Sequence, residues 1–172
     1  EKTNAKLDNV IWNGIKIGDT TYKGFLDLLT DAEVEKQTKG TTVLASVENV
    51  YKAIPAEVLD KAIIFTGIDV YRELVLALSA KNLYHYASKV DDTYAIVLPG
   101  TNTKVVGVPG LHGKYVIVAG NPEHMVYGTD MMDDKEELRF WFSDDDDLHR
   151  LKVKWVSGVS TYFSDYVVLG SE

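Results

Sequence analysis

The segment TTVLASVENVYKAIPAEVLDKAIIFTGIDVYRELVLAL, from Thr41 to Leu78, changes its hydrophobic period twice. Val43, Val47, Val50 and Ile54 recur at intervals that fall on one helical face, with Leu44 and Tyr51 beside them. That spacing predicts a helix over Thr41–Ile54. Pro55 either stops it or opens a further turn in PAEVLDK, because proline fits a first helical position. KAIIFT (Lys61–Thr66) is a short apolar run bounded by polar residues and reads as a buried strand. Ile68, Tyr71, Val75 and Leu78 then mark a second helix, and Thr66 and Asp69 stand at capping-box spacing. Helix–strand–helix is the organising unit of the first half.

From Tyr94 onward the pattern is that of strands. YAIVL ends at Pro99-Gly100, KVVGV at Pro109-Gly110 and KYVIVAG before Asn121-Pro122, each a turn signal. HMVYG, LRFWF, LHRLKVKWV and STYFSDYVVLG follow. Helices early and strands late predict an α+β fold. Residues 1–24 are polar with Gly14, Gly18 and Gly24, and read as an extended arm. Thr30 and Glu33 have capping-box spacing, so a short helix or turn is expected after Thr30.

Between Trp141 and Trp155 runs WFSDDDDLHRLKVKW. On one side Leu138, Phe140 and Phe142 alternate with Arg139 and Trp141. On the other, Leu151, Val153 and Trp155 alternate with Arg150, Lys152 and Lys154. Each flank reads as a strand with one apolar face, and a polar loop between them makes a β-hairpin. A calcium loop needs alternating oxygen ligands, a central glycine and a distal glutamate. Asp144, Asp145, Asp146 and Asp147 are consecutive and lack both, and neighbouring side chains of an extended segment point to opposite faces. The run reads as a loop, and no metal site is expected there.

The remaining candidates for chemistry have ordinary readings. His85, His112, His124 and His149 show no ligand spacing of the HExxH kind. GVPGLHG (Gly107–Gly113) lacks both the GxGxxG spacing and the Lys-Ser/Thr of a phosphate loop, and reads as a turn between strands. No serine lies in GxSxG. The chain has no cysteine, which excludes disulfides, thiol catalysis and Cys-zinc sites. A net charge of −8 argues against a broad phosphate-binding footprint. No apolar run approaches the roughly 20 residues of a membrane helix. No enzyme signature and no cofactor site is expected. Two other classes stay open. A ligand- or carbohydrate-binding module would gather Trp12, Trp141 and Trp155 in an exposed groove. A hydrolase would face paired carboxylates across a cleft.

The order of these elements resembles the C-terminal portion of a tailed-phage major capsid protein of the Hong Kong 97 type. The segment from Thr41 to Leu78 is similar to that family's helix, strand and second helix. GFLDLL resembles the lead into the axial domain, and KVVGVPGLHGKYVIVAGNPEHMVYGTDMMDD the strands that end at an acidic corner. ELRFWFSDDDDLHRLKVKWVSGVSTYFSDYVVLG resembles the long peripheral strands and the return to the axial domain. The resemblance covers about Thr20 to Gly170. It divides the chain into an arm or upstream remnant (1–24), an axial core (25–137), a peripheral hairpin (138–156) and a return strand (157–172). The chain begins with Glu1 rather than Met, as a fragment or maturation product does.

The resemblance implies a structural, non-catalytic subunit. Copies would form pentamers and hexamers, and these an icosahedral shell enclosing the genome of a tailed phage or prophage. Encapsulin shells resemble the same fold. No membrane partner and no specific nucleic-acid contact is implied. Asp144–Asp147 would then meet Arg150, Lys152 and Lys154 of an adjoining subunit, or else merely solvate the hairpin tip.

Overall fold

A computed structural model describes residues 2–17, 20–32, 34–83, 94–129, 139–143, 147–152 and 157–171. Six strands form a mixed sheet in the spatial order β3-β12-β7-β4-β6-β5. They are β3 (Glu35–Thr38), β4 (Ile63–Gly67), β5 (Ala95–Val97), β6 (Lys104–Val108), β7 (Val116–Gly120) and β12 (Val168–Ser171). β3 runs parallel to β12 and β4 parallel to β6, and the other neighbours are antiparallel.

Helices cover both faces, and strand alternation assigns each side chain to one layer. On one face α3 (Val43–Ala53) and α4 (Ile68–Ala80) bury Val47, Val50, Leu74 and Leu78 against Ile64, Val105, Ile117, Ala119 and Val168. On the other, α1 (Lys2–Asn13) and α2 (Phe25–Asp31) bring Trp12, Phe25, Leu26 and Leu29 onto Val118, Val167 and Leu169. The Trp12 ring lies 5.6 Å from both Phe25 and Phe65, joining the two helices to the sheet. Ile117 and Val118, adjacent in β7, thus serve opposite layers.

The predicted helix over Thr41–Ile54 is α3. Thr42 caps it, its hydroxyl accepting from the Ala45 N–H at 3.2 Å. PAEVLDK becomes a turn followed by a 3-10 turn at Leu59–Lys61. The GVPGLHG segment is a turn between β6 and β7, built on a 3-10 turn at Pro109–Leu111.

Three expectations are corrected. Residues 1–24 are not an extended arm: α1 occupies Lys2–Asn13, and β1 (Ile15–Ile17) pairs with β2 (Thr20–Tyr22). Leu7 and Ile11 lie one helical turn apart, and Gly14, at φ +70°, ends the helix in the left-handed conformation that glycine supplies without cost. The helix near Thr30 begins before that residue and contains it. Thr30 lies inside α2 with its hydroxyl donating to the Leu26 carbonyl at 2.7 Å, and β3 follows. Glu33 lies outside the described residues. Thr66 and Asp69 do not cap α4. Gly67 occupies the cap position, Thr66 donates to the Val116 carbonyl, and Asp69 accepts from the Gly113 N–H.

The C-terminal strands pair outside this sheet. β8 (Met125–Thr129) pairs antiparallel with β11 (Ser157–Thr161), from Met125↔Thr161 to Ser157↔Thr129. Nested between them in sequence, β9 (Arg139–Ser143) pairs with β10 (Leu148–Lys152). β12 then enters the main sheet between β3 and β7.

Candidate inter-subunit contact surface

The hairpin expected from WFSDDDDLHRLKVKW forms. Leu148 pairs with Ser143, His149 with Phe142, Arg150 with Trp141 and Leu151 with Phe140. Asp147 opens β10 at φ +53°, a left-handed conformation that aspartate tolerates better than most residues. Its residue type is therefore accounted for by the turn itself. Asp144, Asp145, Asp146, Lys154, Trp155 and Leu138 lie outside the described residues, and of Lys152 only the backbone is described.

The expected alternation holds, with Phe140, Phe142 and Leu151 at register positions of one face, but the other face also carries apolar residues. Cross-strand pairing places Phe140, Phe142 and His149 on one face, and Trp141, Leu148 and Arg150 on the other. On the first, the His149 imidazole stacks on Phe140 (5.4 Å, 11°) and meets Phe142 edge-on (5.1 Å). On the second, Trp141 is 42% and Leu148 59% exposed. Among the described elements, β9 and β10 pack extensively only on each other. A lone two-stranded hairpin is marginal in water. Apolar groups on both faces mark it as a surface that gains from a partner.

A second exposed patch lies at the end of β11, and sequence reasoning did not find it. Tyr162 is 58% and Phe163 66% exposed. Phe163 sits at φ +56°, ψ +69°, a left-handed conformation that costs a bulky residue about 1–3 kcal/mol. Its ring packs 5.4 Å from His124 and 6.0 Å from Tyr166. The His124 carbonyl accepts from the Tyr162 N–H at 2.8 Å, and among the described residues its buried Nδ1 has no partner. This tie joins the start of β8 to the end of β11. The signal lay in the Tyr162-Phe163 pair, but pattern alone read it as part of a strand.

Two acidic residues neighbour this patch in the chain, Asp165 beside Phe163 and Glu123 beside His124. Asp165 is exposed and makes no ion pair with another described residue. Glu123 is exposed and pairs with Lys61 at 3.2 Å. The Lys61 ammonium, then the Asn121 amide, holds its carboxyl below the ordinary value.

Nothing among the described residues gathers three or more potential metal ligands. His112 and Asp69 stand 3.6 Å apart at the exposed end of α4, and His124 and His149 are engaged with rings; His85 lies outside the described residues. A cavity of about 340 Å³ is lined by Tyr51, Leu59, Asp60 and Gly100–Thr103, with one carboxylate and no histidine. Trp12 is buried in the layer between α1 and the sheet while Trp141 is on the exposed hairpin, so these two do not share a binding groove. No helix of the described residues is long and apolar enough to cross a membrane.

No protein-family model matches the chain, and neither does any curated protein. Among solved structures it matches a chain from a satellite phage P4 procapsid including size determination (Sid) protein. The match has a TM-score of 0.64 at 12% identity, over 99% of this chain and 60% of that one. The chain thus spans 60% of the length of that neighbour. At this identity the likeness is one of fold: the molecule has a phage capsid-like α+β fold.

Proposed function

We propose that this chain is a shell subunit of a tailed phage or prophage, a major capsid protein of the Hong Kong 97 type. Copies assemble into pentamers and hexamers, and these into an icosahedral head enclosing the genome. The protein resides in the virion and acts by assembly, without catalysis or a cofactor. One observation carries the reading: a procapsid chain shares the fold across 99% of this molecule.

The exposed hairpin supports it, because a subunit that meets several neighbours must carry surfaces left uncovered in the lone chain. The charges of Asp144–Asp147 and of Arg150, Lys152 and Lys154 would rim that contact and set its register and salt dependence.

Negative-stain electron microscopy of the full-length protein tests the reading. Capsomers and closed shells are expected under assembly conditions. A protein that stays strictly monomeric under all of them would overturn it.

A further inference from the structure

Phe140, Trp141 and Phe142 form the middle of β9, and they are 66%, 42% and 46% exposed. Phe140 and Phe142 lie on one face of the hairpin and Trp141 on the other, so the exposed area belongs to both faces. What the three residues share is the strand. β9 pairs with β10 along one edge, and among the described residues its other edge has no neighbour. An open edge is a row of backbone donors and acceptors ready for another strand. β10 carries His149, Arg150 and Lys152, and charges of this kind blunt an edge. β9 has no charged residue between Arg139 and Asp144, and its aromatics are strong strand formers.

We propose that β9 pairs antiparallel with β9 of a second copy, making one four-stranded sheet in the order β10-β9-β9-β10 across a two-fold axis. The strand's own sequence selects that occupant, because Phe140-Trp141-Phe142 reads the same in both directions. With Trp141 opposite Trp141 of the second copy, Phe140 lies opposite Phe142 and Arg139 opposite Ser143. Opposed residues of an antiparallel pair must aim their backbone groups the same way, and this register meets that condition at every position. Aromatic pairs then form on both faces at once, two Phe–Phe pairs on one and a Trp–Trp pair on the other. Charge selects the direction. Four aspartates follow Ser143 in the chain. Parallel pairing would set the two acidic runs side by side, and Arg139 beside Arg139. Antiparallel pairing sends the runs to opposite ends, each toward the Arg139 end of the other strand. The pairing also gives the hairpin the third and fourth strands that a two-stranded ribbon needs for stability in water.

A contact of this self-complementary kind ends at two copies, so it joins capsomers to one another rather than closing the rings within them. That placement rests on the shell reading; the pairing itself does not.

The absence of cysteine allows a clean test in the full-length protein under assembly conditions. Opposed residues of an antiparallel pair have Cα atoms about 4.5–5.5 Å apart, within disulfide reach, whereas residues offset by two positions do not. Mild oxidation should therefore convert the Trp141→Cys protein to covalent dimers. Phe140→Cys alone and Phe142→Cys alone should not cross-link, and a mixture of the two, which keeps Trp141, should. Trp141→Lys sets like charges opposite each other, and should raise the concentration needed for assembly by about tenfold while circular dichroism stays unchanged. Assembly of that variant at the wild-type concentration would overturn the contact. If wild-type shells form but neither Trp141→Cys nor the mixture cross-links, the contact is wrong and the shell reading stands. If the cross-link pattern appears without shells, the contact stands and the shell reading falls. If neither appears, both fall.

Discussion

Glycine positions separate what the fold requires from what it leaves open. A Cβ at Gly110 would lie 2.5 Å from the Asp8 carbonyl oxygen, where α1 crosses the Pro109–Leu111 turn. At Gly128 and Gly158, which pair in the β8–β11 ladder, a Cβ would meet nothing within 4 Å. Gly110→Ala should therefore destabilise by about 1–3 kcal/mol, because main-chain atoms must move. Gly128→Ala should change stability by less than about 1 kcal/mol. Urea denaturation of the two variants checks the contrast, and equal effects would argue against α1 docking where it does.

Two exposed ion pairs set a modest pH dependence. Lys61 lowers the Glu123 carboxyl and Lys23 lowers that of Asp31, each chiefly through a direct hydrogen bond. A carboxyl lowered in the folded state adds stability above its unfolded value, and that stability is lost as pH falls through the lowered one. The Lys23 ammonium, raised by Asp31, behaves oppositely: its contribution holds below the ordinary lysine value and is lost as pH rises through the raised one. Lys61→Met should flatten the acid limb of a stability–pH curve, because Glu123 then loses the ammonium that lowers it. Solvent exposure keeps both effects small.

At the scale of elements, α4 offers the plainest contrast. Leu74 is fully buried between α3 and the sheet, while Leu76, two residues on, is exposed. Leu74→Ala should cost about 2–5 kcal/mol and Leu76→Ala less than about 0.5 kcal/mol, read from denaturation midpoints. A similar loss from both would contradict the helix's orientation. This helix was legible in the sequence because Ile68, Tyr71, Val75 and Leu78 keep one face over three turns. α1 was not, because glycines and the alternation of VIWNGIKIG masked the spacing of Leu7 and Ile11. Capping spacing misled twice. Thr30 has a backbone carbonyl for its hydroxyl, and Asp69 is drawn to the distant Gly113 N–H. Neither partner is visible from local sequence. The hairpin was legible through its alternation, but the exposure of Phe140, Trp141, Phe142 and Leu148 was not, since alternation says which residues share a face and not what lies over it. Phe163 is the harder case: its display depends on a backbone dihedral and on His124, 39 positions away in the chain.

At the scale of the whole molecule, a helix-covered sheet forms the body, and the strands β8 to β11 pair outside it. The body buries its apolar residues in two layers. Among the described residues, Phe140, Trp141, Phe142 and Leu148 of the hairpin and Tyr162 and Phe163 after β11 stay exposed, which is the division that the proposed shell role would use. The most direct test is electron cryomicroscopy of the full-length protein after assembly. The expected result is a closed shell whose subunits contain this six-stranded body, with the hairpin and Phe163 at contacts between copies. Particles lacking any repeating subunit arrangement, or a shell in which both patches face solvent on every subunit, would contradict it.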